Sequence, residues 1–225
     1  MSPPPDRPLK LGELLAETVR LYGDRIWAAL GLGAFAGCAL LLTAATPELV
    51  DILVFALVFT ATYAAAARIV IGDGFGEAWA QVAVRLPILL VLTVIVSIPF
   101  ALALSQLLLL VVAVAWLAVT GFSIPVAMLE DDGDAETWFG RLGHSLTRSL
   151  ELARAEYLHA LGVAAALVLL FLLLGFYLGA ALGGIADVSS AVAAVLVRVV
   201  LAPLFFLGFA VLYFDQRARI KPQTR

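Results

Sequence analysis

Six long apolar stretches, each close to the length that crosses a bilayer, restrict what this chain can fold into more than any other feature. They cover approximately residues 26–46, 50–71, 86–104, 107–128, 158–182 and 192–214. A spanning helix needs about 20 apolar residues, because the hydrocarbon core is about 30 Å thick and each helical residue rises about 1.5 Å. Backbone polar groups cannot stay unpaired in lipid, so stretches this continuous must be helices. Composition agrees: 63% of the 225 residues are hydrophobic and 14% charged, whereas a soluble domain carries about 25% charged residues. Too few polar residues remain to cover a water-facing surface, which excludes a soluble enzyme and a nucleic-acid binder. The fold class is therefore all-α, a polytopic membrane protein with six transmembrane helices.

Three polar segments separate the spans in pairs. Residues 9–25 place Lys10, Glu13, Glu17, Arg20 and Asp24 on one helical face and Leu11, Leu14, Leu15, Thr18 and Tyr22 on the other. That pattern predicts an amphipathic helix lying in the membrane interface or packed on the bundle. Residues 73–85 and 135–156 are expected to do the same. In the third, Trp138, Leu142, Leu146, Leu150, Ala153 and Tyr157 form an apolar stripe opposite Arg141, His144, Arg148 and Glu151. The pairs Leu11-Gly12, Phe75-Gly76 and Phe139-Gly140 recur at intervals of 64 residues, so the chain reads as three units of interfacial helix plus transmembrane hairpin. Residues 1–8 are Pro-rich and read as a disordered tail, not a cleavable signal sequence. Residues 215–225 read as a second polar tail.

The basic residues set the orientation. Of 14 Lys and Arg residues, all but Arg198 fall in the two tails, in connections on one side of a six-span arrangement or, as Arg68, at the end of a span on that side, and basic residues accumulate on the cytoplasmic side. Both termini are thus expected in the cytoplasm. Twelve Arg against two Lys, with abundant Ala, Leu and Val, fits a bacterial genome of high GC content and hence the bacterial inner (plasma) membrane.

Ionisable residues inside spans are costly and mark functional candidates. Arg198 and Asp51 qualify, and an intramembrane ion pair between them, or between Arg198 and Glu48 or Asp187, is the economical expectation. Arg141, Arg148, Arg154, Arg217 and Arg219 are candidates for contacts with lipid or a partner on the cytoplasmic face. Two glycine patterns, Gly33 with Gly37 and Gly175 with Gly179 and Gly183, predict close helix packing, within the bundle or in a homodimer. Cys38 is the single cysteine, so no disulfide or cysteine metal site can form within the chain. Gly121-Phe122-Ser123 resembles part of an intramembrane serine protease motif, but neither His144 nor His159 is placed to act as its base. No cofactor, metal or catalytic residue is expected.

Pro125, Glu130 and Gly133, followed by Arg148-Ser149-x-x-Leu152-x-Arg154-x-x-Tyr157-x-x-x-Leu161-Gly162, resemble the membrane domain named after glycerophosphoryl diester phosphodiesterase, a group that includes bacterial six-span proteins. Arg7-Pro8-Leu9-x-x-Gly12-Glu13-Leu14-Leu15 and Tyr213-Phe214-Asp215-x-Arg217-x-Arg219 are similar to that family's ends. Asp131 to Asp134 and Ala155-Glu156 depart from its pattern. The resemblance implies a fold and a topology without the catalytic domain. The functional expectation is a non-catalytic scaffold, organiser or accessory subunit, contacting the lipid bilayer and a membrane-protein partner or a second copy. The alternative is a small transporter or lipid-handling protein with a cavity near Arg198.

Overall fold

The computed structural model describes residues 7–43, 48–103, 107–130, 137–184 and 190–220. Among these the chain is entirely helical: α1 (Leu11–Asp24), α2 (Ile26–Thr43), α3 (Glu48–Ile71), α4 (Phe75–Val84), α5 (Leu86–Ala103), α6 (Leu107–Thr120), α7 (Ser123–Leu129), α8 (Trp138–Ala155), α9 (Tyr157–Gly184) and α10 (Ser190–Ile220). It is an all-α, multi-pass membrane protein. Four segments are long and apolar enough to cross a bilayer unaided: Ile52–Ile71, Leu109–Leu129, Tyr157–Gly183 and Val192–Ile220. The bent pair α4 and α5 supplies a fifth, and Ile26–Ala39 is a shorter apolar helix. The expected six stretches therefore coincide with helices, while the described residues by themselves give four spans, or five with the bent pair.

Each expected interfacial segment is a helix that ends in a one-residue break before a long apolar helix. Arg25 separates α1 from α2, Arg85 separates α4 from α5, and Glu156 separates α8 from α9. At the second break the axis turns by 83°. The hydrogen-bond ladder runs across the first break, because Arg25 donates its N–H to Leu21 O (3.1 Å) and accepts from Ala29 N–H (2.9 Å). Residue 85 does the same with Gln81 and Leu89.

The break residues also close their own units. Arg25 reaches forward 44 residues to donate to Ile69 O near the end of α3, and Arg85 reaches 42 residues to Ala127 O near the end of α7. Carbonyls in a helix's last turn lack intrahelical partners and attract cations, so each arginine caps the returning helix of its hairpin. In the third unit the polarity is inverted: the break residue is the acid Glu156, which pairs with Arg219 in the last turn of α10. The first two units thus share one construction, and the third links its break residue to the returning helix by a side-chain ion pair instead.

α3 ends in a turn that requires glycine. Gly72 has φ 120° and donates to Ile69 O, and Asp73 N–H reaches Arg68 O at 3.3 Å. A side chain is disfavoured at that φ. The Arg68 guanidinium then fixes Asp73 at 2.6 Å.

The core is densest around α3 and α10. Residues 60–67 of α3 are buried on every side, an arrangement favoured by their small side chains, Ala61 and Ala64 to Ala67. The one large residue among them, Tyr63, is fully buried and donates to Phe209 O at 3.2 Å. α2 packs along α10 through the first glycine pair: a Cβ at Gly33 would overlap the Val199 backbone carbonyl, and one at Gly37 would crowd Val195 and Val199. That pair serves packing within the bundle. In the α9 triplet only Gly175 meets α10, in ordinary contact with Val197 and Leu201, whereas a Cβ at Gly179 or Gly183 would meet nothing within 4 Å.

Proline explains the division between α6 and α7. Pro125 has no N–H to bond the carbonyl four residues earlier, at Gly121. The helix breaks at Gly121-Phe122, and Ser123, fully buried, donates its hydroxyl to Thr120 O at 2.6 Å.

Two expectations need correction. The stretch from Asp215 is no free tail as far as Ile220: α10 runs through it, with Asp215 and Gln216 wholly buried. Its side chains pack against α1 and α8, which sequence periodicity within one segment cannot show. The predicted apolar stripe of α8 holds only in part: Ala153 is buried and Leu142 and Leu146 pack against the core. Ser145, Ser149, Leu152 and Ala153 are its buried residues, while Trp138, Leu150 and Tyr157 are exposed. Serine can face the bundle here because its hydroxyl is satisfied. Ser149 donates to Val119 O at 2.6 Å and Ser145 to Arg141 O at 3.0 Å, leaving the larger apolar groups for lipid.

Candidate functional site at the charged end

The three short amphipathic helices and the last turns of α3, α7 and α10 gather the described charged residues, Arg198 and those at the opposite end of α3 apart, at one end of the bundle. Two clusters organise this end, and α10 contributes to both.

The first joins the N-terminal segment to the end of the chain. Asp215, buried in α10, accepts the Leu9 N–H through Oδ1 at 2.6 Å. Arg219, one turn later, donates to the Leu9 carbonyl at 2.7 Å and to Asp215 Oδ2 at 3.0 Å. Both backbone groups of Leu9 are thereby held, and its side chain is buried. Arg219 also pairs with Glu156. His159 Nε2 lies 3.1 Å from Asp215 Oδ2, within ion-pair range but without the alignment of a hydrogen bond. The cluster ties α1, α9 and α10 together. α1 follows, seating Leu14, Thr18 and Leu21 on the bundle, with Lys10 N–H held by Glu13 at 3.1 Å.

The second cluster centres on Glu130, just past α7. Its carboxylate accepts from Arg148 Nε of α8 at 3.1 Å and from Tyr213 OH of α10 at 2.8 Å. Arg148 also donates to Glu151 at 2.8 Å. This bond to Glu151 and the nearby Glu130 charge hold the Arg148 pKa above its ordinary value, against an opposing effect of burial. Beside the cluster lies an open pocket of about 470 Å³ lined by Leu129, Glu130, His144, Arg148, Glu151 and Arg217. His144 Nε2 is buried without a hydrogen-bond partner among the described residues, as are both amide atoms of Gln216.

The predicted surface arginines therefore separate by role. Arg148 and Arg217 share the pocket, and Arg219 belongs to the Leu9 cluster. Arg141 and Arg154 are exposed on α8. Sequence reading missed Glu130, Tyr213 and Asp215 as the acceptors and donor that organise these cations. A buried carboxylate in the last turns of an apolar helix was the available clue. Of the residues that carried the family resemblance, Leu9, Glu130, Arg148, Tyr213, Asp215 and Arg219 lie in these two clusters.

Arg198 sits far from both. Twenty-one residues of helix separate it from Arg219, roughly 30 Å at about 1.5 Å per residue. Its guanidinium carbon is 5.8 Å from the Phe55 ring centroid, a cation–π distance. It lines a groove of about 440 Å³ between α9 and α10, with Phe171, Phe176, Gly175, Gly179 and Val197 among the walls. The expected pairing with Asp51, Glu48 or Asp187 concerns side chains outside the described residues.

No protein-family model matches the chain, and no curated protein or solved structure matches it either.

Proposed function

We propose that this chain is a non-catalytic scaffold, organiser or accessory subunit of the bacterial inner membrane, with both termini and the charged end in the cytoplasm and six helices crossing the bilayer. The observation that carries the proposal is the way the ionisable groups at the charged end are used. Glu130, Arg148 and Tyr213 join α7, α8 and α10, and Asp215, Arg219 and Glu156 join the N-terminal segment to α8, α9 and α10. These bonds hold amphipathic helices against the spans and build a platform at the membrane surface. Membership of the family named for its glycerophosphoryl diester phosphodiesterase members is part of the proposal, supported by the presence of six of the resembling residues, Leu9, Glu130, Arg148, Tyr213, Asp215 and Arg219, in these clusters.

Purification in native lipid followed by mass spectrometry of bound proteins tests this. A stoichiometric membrane partner, or a defined homo-oligomer, is the expected result. A lone monomer across detergents and native nanodiscs would count against it.

A second reading, lipid handling or transport, is favoured by the groove at Arg198. Single cysteines at Val197, Val200 and Leu201 distinguish the two. Labelling by a water-soluble maleimide at Val197 and Leu201 would support a hydrated path, and uniform protection supports the scaffold.

A further inference from the structure

Five of the six residues lining the pocket at the charged end can carry charge, unlike the mostly apolar walls of an ordinary small-molecule site. Their charges are unevenly consumed. Arg148 is shared between Glu130 and Glu151, so this trio carries one negative charge in excess, and Glu151 remains half-exposed. Arg217, across the pocket on α10, makes no hydrogen bond or ion pair with another described residue. The Nε2 of His144 is buried without a hydrogen-bond partner among the described residues. Buried polar groups are nearly always satisfied by protein, water or ligand, so this atom marks a place where a polar partner is wanted.

The arrangement has two poles. A simple anion would face Glu130 and Glu151, and a simple cation would face Arg217. A group carrying both an ammonium and a phosphate complements each pole. We propose that this pocket binds a phosphoethanolamine group, presented by a membrane phospholipid or free in solution. Arg217 takes the phosphate, because a guanidinium fork matches its oxygens in pairs. His144, as the Nε2–H tautomer, adds a second donor. The ammonium gives its three N–H groups to Glu151 and to the Glu130 carboxylate. The setting suits a lipid source: α8, which supplies three of the lining residues, exposes Trp138, Phe139, Leu150 and, at its end, Tyr157, and aromatic residues of this kind collect at headgroup level. The inference goes beyond the scaffold proposal and rests only on the charged end lying at the membrane surface.

The test uses the full chain in nanodiscs of defined composition, with native mass spectrometry counting the lipids retained. Phosphatidylethanolamine should be retained over phosphatidylcholine, whose quaternary ammonium has no N–H to donate, and over phosphatidylglycerol, which has no ammonium. Arg217→Gln and Glu151→Gln should each weaken retention about tenfold or more, the effect of losing one charge-assisted hydrogen bond, with unchanged melting temperature. Calorimetry with soluble phosphoethanolamine in detergent separates the sources: displacement of the retained lipid assigns a headgroup site open to solution ligands, and retention without displacement assigns a lipid site. Equal retention of all three lipids with no heat from phosphoethanolamine would overturn the proposal. So would undiminished retention in both variants.

Discussion

Removing the Asp215 carboxylate should release the N-terminal segment and α1 from the bundle. In Asp215→Ala, the Leu9 N–H loses its acceptor, Arg219 loses the partner at 3.0 Å, and His159 loses the charge at 3.1 Å. Breaking a buried pair by removing one partner costs about 3–5 kcal/mol. Arg219 keeps Glu156 and the Leu9 carbonyl, so the expected loss is smaller, about 2–4 kcal/mol. For a chain of this length each kcal/mol moves the melting temperature by about 2–4 °C, giving a fall on the order of 10 °C in a mild detergent. Asp215→Asn keeps an acceptor for Leu9 and should lose about 1–2 kcal/mol. The same variants should expose the chain to trypsin at Lys10, which borders the held residue. The reasoning is refuted if Asp215→Ala melts within 2 °C of wild type and resists trypsin equally.

Gly33→Ala should destabilise by about 1–3 kcal/mol through overlap with the Val199 carbonyl, whereas Gly179→Ala, facing open space, should be neutral or gain up to about 1 kcal/mol in helix propensity; denaturation in detergent reports both. Arg25→Gln and Arg85→Gln should each lose about 1–2 kcal/mol by uncapping α3 and α7, seen as faster amide exchange confined to the last turn of the capped helix. Tyr213→Phe should lose about 1 kcal/mol by removing the hydroxyl that donates to Glu130, read as a lower melting temperature with α10 otherwise intact.

Much of the architecture was legible in the sequence because apolar continuity and amphipathic period are local properties. Each expected stretch is helical where described, that of residues 107–128 being divided between α6 and α7, and the three amphipathic segments begin and end within a few residues of α1, α4 and α8. What escaped was set by contacts between distant residues. Leu9 and Asp215 are separated by 206 positions, so Asp215 read as part of a polar tail until its partner was seen. Half of the α8 face went astray because hydropathy ranks Leu150 above Ser149, while a hydroxyl bonded to Val119 O can be buried and a leucine can face lipid. The glycine patterns looked alike in sequence, yet only Gly33 and Gly37 meet a neighbouring backbone. The roles of the arginines were legible only as a group; sorting Arg148 and Arg217 from Arg219 needed the positions of Glu130 and Asp215.

The central claim is that three hairpins rise from one charged face and return to it. Single cysteines in a Cys38→Ala background test it most directly, probed in intact cells with a membrane-impermeant maleimide. Val50→Cys, Ser105→Cys and Val192→Cys, at or between the outer ends of the paired apolar stretches, should label from outside. Lys10→Cys, Gly74→Cys and Thr137→Cys, at the charged face, should label only after permeabilisation. Labelling of any charged-face position from outside together with a hairpin-turn position, or protection of Ser105→Cys beside labelled Val50→Cys and Val192→Cys, would contradict the account.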